Sequence, residues 1–204
     1  MARILIVDSE RNARNLMKRA LEEEGHEVVA VASAEEAKAE IWSSKYDLLV
    51  VDVKLPGISG VELLRDLSSG GVLPSTLVVG GVVTPEMVAE AMKAGAKDFL
   101  SKPFSVEEFI AKVEELLSQE KETFKKLERK SKELLEGGNL DLADRLIKKM
   151  FSISPSSPIP HFLYYKLLKI RGNEELALKH LECALIFDPN YPPALEEKKR
   201  LGNL

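Results

Sequence analysis

Leu48-Leu49-Val50-Val51-Asp52 is the stretch that most limits what this chain can fold into. Four apolar residues, two of them β-branched, run unbroken into a carboxylate, and Pro56-Gly57 follows. An apolar run of this length predicts a strand covered on both faces, as in a parallel sheet. Pro-Gly ends the strand and opens a loop. Asp52 is thereby placed where a buried strand meets solvent. Open α/β sheets hold their ligands at that edge.

The pattern recurs through residues 1–120. Arg3-Ile4-Leu5-Ile6-Val7 is a second buried-type strand, and it too ends on an acid, Asp8. A helix follows, with Asp8 or Ser9 as its cap, Leu16, Met17, Ala20 and Leu21 at helical spacing, and Gly25 as its stop. Val28 to Val31 reads as a strand, and Ser33 with Glu36 as a capping box for a helix over 34–43. Beyond Pro56-Gly57 a helix is predicted over 60–67, then a strand from Thr76 to Val79 ending in Gly80-Gly81. Thr84-Pro85 opens a helix that closes near Ala94-Gly95. Asp98-Phe99-Leu100 is a short fifth strand, and Lys102-Pro103 follows it. Ser105 caps a helix carrying Phe109, Ile110, Val113, Leu116 and Leu117. Strands alternating with helices at this spacing predict an α/β doubly wound parallel sheet with right-handed crossovers. The tips of strands one, three and five then bring Asp8, Asp52 and Lys102 to one edge, on strands about 4.8 Å apart.

That grouping has a chemistry. Two neighbouring carboxylates favour a hard divalent cation, above all Mg²⁺. An aspartate can attack phosphorus and form an acyl phosphate. The metal and the Lys102 ammonium would neutralise the oxygens of the transferring group. Plainer readings stand beside this one. A strand-end aspartate is often only a cap, and a lone lysine is usually just solvated. Trp42, the only tryptophan, reads as packing on a helix face. His26, His161 and His180 are scattered and form no ligand set.

Composition narrows the classes. The 204 residues are 45% hydrophobic and 30% charged, with a net charge of −4, so nothing global favours nucleic acid or an anionic membrane. The balance is uneven: residues 1–120 carry 13 Lys+Arg against 21 Asp+Glu, and residues 121–204 carry 16 against 12. The shift marks a change of domain near residue 120. Cys183 is the only cysteine, which leaves no internal disulfide and no thiolate cluster. No apolar run approaches the roughly 20 residues of a membrane span. A cytoplasmic protein is the expectation.

Four stretches together carry a family resemblance. They are Ile4-Leu-Ile-Val-Asp8, Asp52-Val-Lys-Leu-Pro-Gly-Ile-Ser-Gly60 with Val61-Glu-Leu-Leu64, Ala91-Met-Lys-Ala-Gly-Ala-Lys-Asp-Phe-Leu100, and Lys102-Pro103-Phe104. In these, residues 1–120 resemble the receiver domain of two-component response regulators. The resemblance implies a flavodoxin-like (βα)₅ fold and a phosphoryl group passed to Asp52 from a histidine kinase. It implies Mg²⁺ held by Asp8, Asp52 and the backbone carbonyl of Lys54. It also implies Lys102 on the phosphoryl oxygens, a cis Lys102–Pro103 peptide, switch positions at Gly80 and Phe99, and a homodimer as an available arrangement.

Two positions depart from that pattern. The second acid after strand one is Ser9, a hydroxyl without charge, so metal affinity should fall; Glu10 is one residue later. The switch hydroxyl at the end of strand four is Gly80. A hydrogen bond to a charged partner contributes about 1.5–3 kcal/mol, so its loss removes much of what would separate two states. A backbone N–H of Gly80 or Gly81 could approach the phosphate instead. These departures motivate a rival, a pseudo-receiver scaffold that binds partners without phosphate. A second rival is a hydrolase with Asp52 as nucleophile, but the second acid expected two residues on is Lys54. The chain is not expected to be an enzyme.

From Ser105 to Glu136 there is no Gly or Pro, which predicts one long helix and a stiff coupling; the alternative is a break near Ser118–Thr123, where polar residues cluster. A repeat follows. Gly138-Asn139 recurs as Gly172-Asn173, Leu134 as Leu168, Ala143 as Ala177, Pro155 as Pro189 and Pro158 as Pro192, each 34 residues apart. Residues 121–204 thus resemble tetratricopeptide repeats, with two repeats over 121–136, 140–152, 159–171 and 174–187 and a closing helix at 193–202. The resemblance implies a groove for a protein partner. Lys130, Arg145, Lys148, Lys149, Lys166 and Lys169 give this part its positive balance, read either as solvated surface or as a groove for an acidic segment. No helix-turn-helix or zinc pattern points to nucleic acid.

Overall fold

The computed structural model describes residues 1–81 and 84–202. The chain divides into two compact units, Met1–Gln119 and Glu120–Leu204.

The first unit alternates strand and helix: β1 (Arg3–Val7), α1 (Arg11–Glu23), β2 (Glu27–Val31), α2 (Ala34–Ser43), β3 (Leu48–Asp52), α3 (Gly60–Ser69), β4 (Ser75–Gly80), α4 (Pro85–Lys93) and β5 (Asp98–Ser101). α5 (Val106–Glu136) is one helix of 31 residues. The five strands are parallel in the order β2-β1-β3-β4-β5, the expected flavodoxin-like sheet. Val50 is in register with Ile6 on one side and Leu77 on the other. Leu48 to Val51 are all fully buried, because successive side chains of a strand point to opposite faces and both faces are covered. Leu49 and Val51 join Leu5, Val7, Leu63, Leu64 and Val78 in one core. Leu48 and Val50 join Ile4, Ile6, Met17, Leu21, Phe109 and Val113 in the other.

Local chemistry sets the helix ends. Ser33 Oγ accepts the Glu36 N–H at 3.3 Å, while Glu36 turns its carboxylate to the Ala32 N–H, so the predicted capping box is half formed. A complete box appears where none was foreseen, between Ser59 and Glu62. α1 differs from expectation. Its N-cap is Glu10, past both expected caps, Asp8 and Ser9, and without a side-chain cap hydrogen bond, because Asp8 turns inward. Leu16, expected on its buried face, is exposed. Trp42 does not pack as expected; it is 66% exposed, with its ring beside the Gly70 turn.

Gly60 fixes the loop that leaves Asp52. Its N–H donates to the Val53 carbonyl at 2.9 Å. A Cβ built there would lie 2.2 Å from the Asp52 carbonyl oxygen, which is backbone and cannot swing away. Overpacking of a tight core costs about 1–3 kcal/mol. Gly60→Ala is therefore expected to lower the unfolding free energy by about 3 kcal/mol, read as a lower midpoint in urea. An unchanged midpoint would show that the loop can shift freely.

The second unit holds the C-terminal part of α5, then α6 (Leu140–Ile153), α7 (Pro158–Ile170), α8 (Glu174–Phe187) and α9 (Pro192–Gly202). The 34-residue recurrence extends to backbone geometry. Gly138 and Gly172 both sit at φ +76°, a left-handed conformation that side chains disfavour. Asn139 and Asn173 both cap, accepting from Leu142 N and Leu176 N at 3.4 and 3.3 Å. Ala143 and Ala177 are both buried, as small residues must be where helices approach closely. Arg171 closes the second turn, donating to Asp141 at 2.8 Å and pairing with Asp144 at 3.5 Å. No helix among the described residues is long and apolar enough to cross a membrane.

Candidate functional site

Asp8 follows β1, Asp52 ends β3, and Lys102 follows β5. The sheet order puts β1 beside β3, the point where the chain's winding direction reverses and a crevice opens. The Lys102 N–H donates to the Gly80 carbonyl at 2.8 Å, which ties that residue's backbone to the end of β4. The Lys102–Pro103 peptide is cis. The Lys102 side chain reaches across the crevice, donating to Asp8 Oδ2 at 2.7 Å and to Asp52 Oδ2. The three predicted groups are thus brought together.

The free oxygens are also held. Asp8 Oδ1 accepts the Glu10 N–H at 2.7 Å, and Asp52 Oδ1 accepts the Lys54 N–H at 2.8 Å. Each carboxylate therefore has one backbone donor two residues downstream and a share of one ammonium. The Asp8 side chain is fully buried, and that of Asp52 is 11% exposed. Burial pushes the Asp8 carboxyl above its ordinary value; the hydrogen bonds from Lys102 and Glu10 oppose this without cancelling it. Burial works against the Lys102 ammonium, but hydrogen bonds to Asp52 and Asp8 outweigh it and hold its pKa above the ordinary value. Two carboxylates and one ammonium leave the cluster one negative charge.

A hard cation would find oxygen donors here: the Asp8 and Asp52 carboxylates and the Lys54 carbonyl. Ser9 Oγ lies 3.5 Å from that carbonyl and donates toward it, which places the carbonyl at the same crevice. These donors fit Mg²⁺, which binds through one or two carboxylates and keeps several waters. Ser9 supplies no charge and Glu10 is exposed. Among the described residues there is no group of three His, Cys, Asp or Glu side chains fit to hold a metal.

The switch positions are packed in a way the sequence did not reveal. Phe99 lies on β5 in register with Val78, two residues before Gly80, the last residue of β4. A Cβ on Gly80 would lie 3.1 Å from Val53 Cγ2 and 3.2 Å from Phe99 Cζ. Val53 and Phe99 thus close on the space a threonine would need. The histidines need a correction too. His26 pairs with Glu114 at 2.6 Å, but His161 and His180, 19 residues apart, meet with their Nδ1 atoms 3.1 Å from each other. They sit on different helices, α7 and α8, so no single-helix periodicity could have joined them.

Comparison with known proteins agrees with this geometry. The family model for the response regulator receiver domain matches residues 4–114. The transcriptional regulatory protein TrcR of Mycobacterium tuberculosis is 35% identical over 140 residues, which is 69% of this chain and 53% of that protein. The two-component response regulator PhoP of Pseudomonas aeruginosa is 37% identical over 115 residues, 56% of this chain and 51% of that protein. The chain spans about half the length of the curated relatives it matches. Among solved structures, the receiver domain of Francisella response regulator 1452 superposes with a TM-score of 0.56 at 27% identity, over 58% of this chain and 98% of that one. A CheY-like receiver protein from Methanospirillum hungatei gives 0.55 at 32% identity, over 58% and 95%. The chain belongs to the response regulator receiver family.

Proposed function

We propose that this chain is a two-component response regulator that accepts a phosphoryl group on Asp52 and signals through a protein partner of its helical unit. One observation carries the first half: Lys102 joins the carboxylates of Asp8 and Asp52 at the mouth of the β1/β3 crevice. A carboxylate oxygen of Asp52 forms the new O–P bond. The P–N bond to a kinase phosphohistidine breaks, and its electron pair stays on the imidazole. Lys102 then turns from carboxylate to phosphoryl oxygen, where its fixed charge meets the charge that develops. Asp8, Asp52 and the Lys54 carbonyl would hold Mg²⁺, which when bound neutralises the phosphoryl oxygens. Position 54, where a phosphatase of this kind would carry a second acid, is a lysine; loss of the phosphoryl group is then slow chemistry of the chain on itself, and we do not propose turnover of an outside substrate.

The second half rests on the repeat. Identical turns at Gly138 and Gly172, paired Asn caps and buried alanines support a tetratricopeptide-like output domain over 121–204. Such a domain offers a groove to protein, and nothing in its sequence reads as a nucleic-acid motif. TrcR is by name a transcriptional regulator; for this chain we propose a cytoplasmic protein without nucleic-acid or membrane contact, available to form a homodimer.

The test is acetyl phosphate with millimolar Mg²⁺, followed by intact mass. The expected result is one added phosphoryl group, labile to hydroxylamine as an acyl phosphate is. The rival scaffold reading has its own observation: Val53 and Phe99 close on the space at Gly80. Absence of any adduct, with no spectral response to beryllofluoride, would favour that reading.

A further inference from the structure

The helical unit holds a cluster that the signalling account does not use. His161 on α7 and His180 on α8 present their Nδ1 atoms to each other at 3.1 Å. Their ring centroids are 5.2 Å apart. Phe151 stands edge-on to His161 at 4.7 Å, Tyr164 edge-on to His180 at 4.8 Å, and Phe187 lies 5.2 Å from His161. Among the described residues, neither imidazole is in an ion pair. Burial depresses the pKa of both, and for His161 the neighbouring His180 adds to it while the Pro155 backbone partly opposes it. Burial thus favours the neutral form of both rings, the form in which imidazole ligates metal.

The spacing is the telling quantity. With Zn–N bonds of about 2.0–2.1 Å, two ring nitrogens on one ion stand about 2.9 Å apart at a right angle and about 3.3 Å apart at the tetrahedral angle. The observed separation falls between these. We propose that His161 and His180 form a two-imidazole site for a borderline-soft divalent transition metal, with Zn²⁺ as the reference ion, pinning α7 to α8. Among the described residues no third His, Cys, Asp or Glu completes the set, so water or an added donor fills the remaining positions. The ring that donates in the pair moves its Nδ1 proton to its other nitrogen, and no net proton need leave. Imidazole selects such metals over Mg²⁺, which belongs with the oxygen donors of the other unit.

The experiment uses the full chain without an affinity tag, titrated with Zn²⁺ and with Mg²⁺, by calorimetry and thermal melting at pH 7.5. One saturable Zn²⁺ per chain and a raised melting temperature are expected, while any response to Mg²⁺, which belongs to the receiver crevice, should be the same in the histidine variants as in the parent chain. His161→Phe and His180→Phe keep the aromatic packing and remove the donor. Each should weaken Zn²⁺ binding by at least about tenfold, with circular dichroism confirming the fold. Asp52→Asn and Cys183→Ser should leave binding in place. No saturable binding, or binding that survives both histidine variants, overturns the proposal. Loss in Asp52→Asn would move the ion to the receiver crevice, and loss in Cys183→Ser would make it a thiolate site; either also overturns it.

Discussion

Asp52→Asn is expected to leave the chain folded and to abolish phosphoryl uptake completely. The amide keeps the shape of the side chain, and its oxygen can still accept the Lys54 N–H that the carboxylate accepts at 2.8 Å. Lys102 keeps its second partner, Asp8, at 2.7 Å. What disappears is the anionic oxygen that forms the bond to phosphorus, and an amide offers no replacement nucleophile. After incubation with acetyl phosphate and Mg²⁺ the intact mass should stay at the unmodified value, while the parent chain gains one phosphoryl group. An adduct of undiminished yield on the variant would place the acceptor elsewhere and sink the assignment of Asp52.

The second large effect concerns stability. Lys102→Met removes the ammonium that two buried carboxylates share. Breaking a buried ion pair by deleting one partner costs about 3–5 kcal/mol, and a deficit of that size is expected in urea melts at neutral pH. Its pH dependence has a definite sign. Asp8 already sits above its ordinary value because of burial, and Lys102 is the main group opposing that shift. Without the ammonium it rises further. An acid whose pKa is higher folded than unfolded destabilises the fold while ionised, and that penalty fades as pH falls through the folded value. The deficit should therefore shrink as pH falls through the raised folded value of Asp8 toward its ordinary one. Lys102 itself has a raised pKa. Its contribution is present below the unfolded value of 10.5 and is lost as pH rises through the folded one. A deficit independent of pH would mean that the methionine only disturbs packing. Adding Asp8→Asn to Lys102→Met should restore part of the loss.

How much of this was readable beforehand depended on whether one short stretch held the whole cause. The strands were legible because Ile4–Val7 and Leu48–Val51 are apolar without a break, and only burial on both faces suits such runs. Their tips were legible for the same reason, since topology alone then brings positions 8, 52 and 102 to one edge. The caps at Thr84 and Ser105 were legible from residue type; both hydroxyls accept as expected, at 3.3 and 3.1 Å. The start of α1 was not, because Asp8 serves the crevice instead of the helix, and a cap assignment weighs only the local competition. Trp42 misled because size suggests burial while its helix turns that face outward. The crowding of Gly80 by Val53 and Phe99 joins three strand-end segments, and nothing at position 80 alone reveals it. The histidine pair was hidden because its members lie on different helices, so their meeting depends on how those helices align.

The two hydrophobic interiors of the first unit share a single ribbon of backbone. Leu49 and Val51 serve one side of β3, Leu48 and Val50 the other. Evolution can exchange valine, leucine and isoleucine along that ribbon at modest cost, because volume and greasiness survive. It cannot alter the count. One residue gained or lost there would send every downstream side chain to the wrong half and turn the terminal aspartate away from its two companions. Variation in this stretch is thus free in kind and frozen in number.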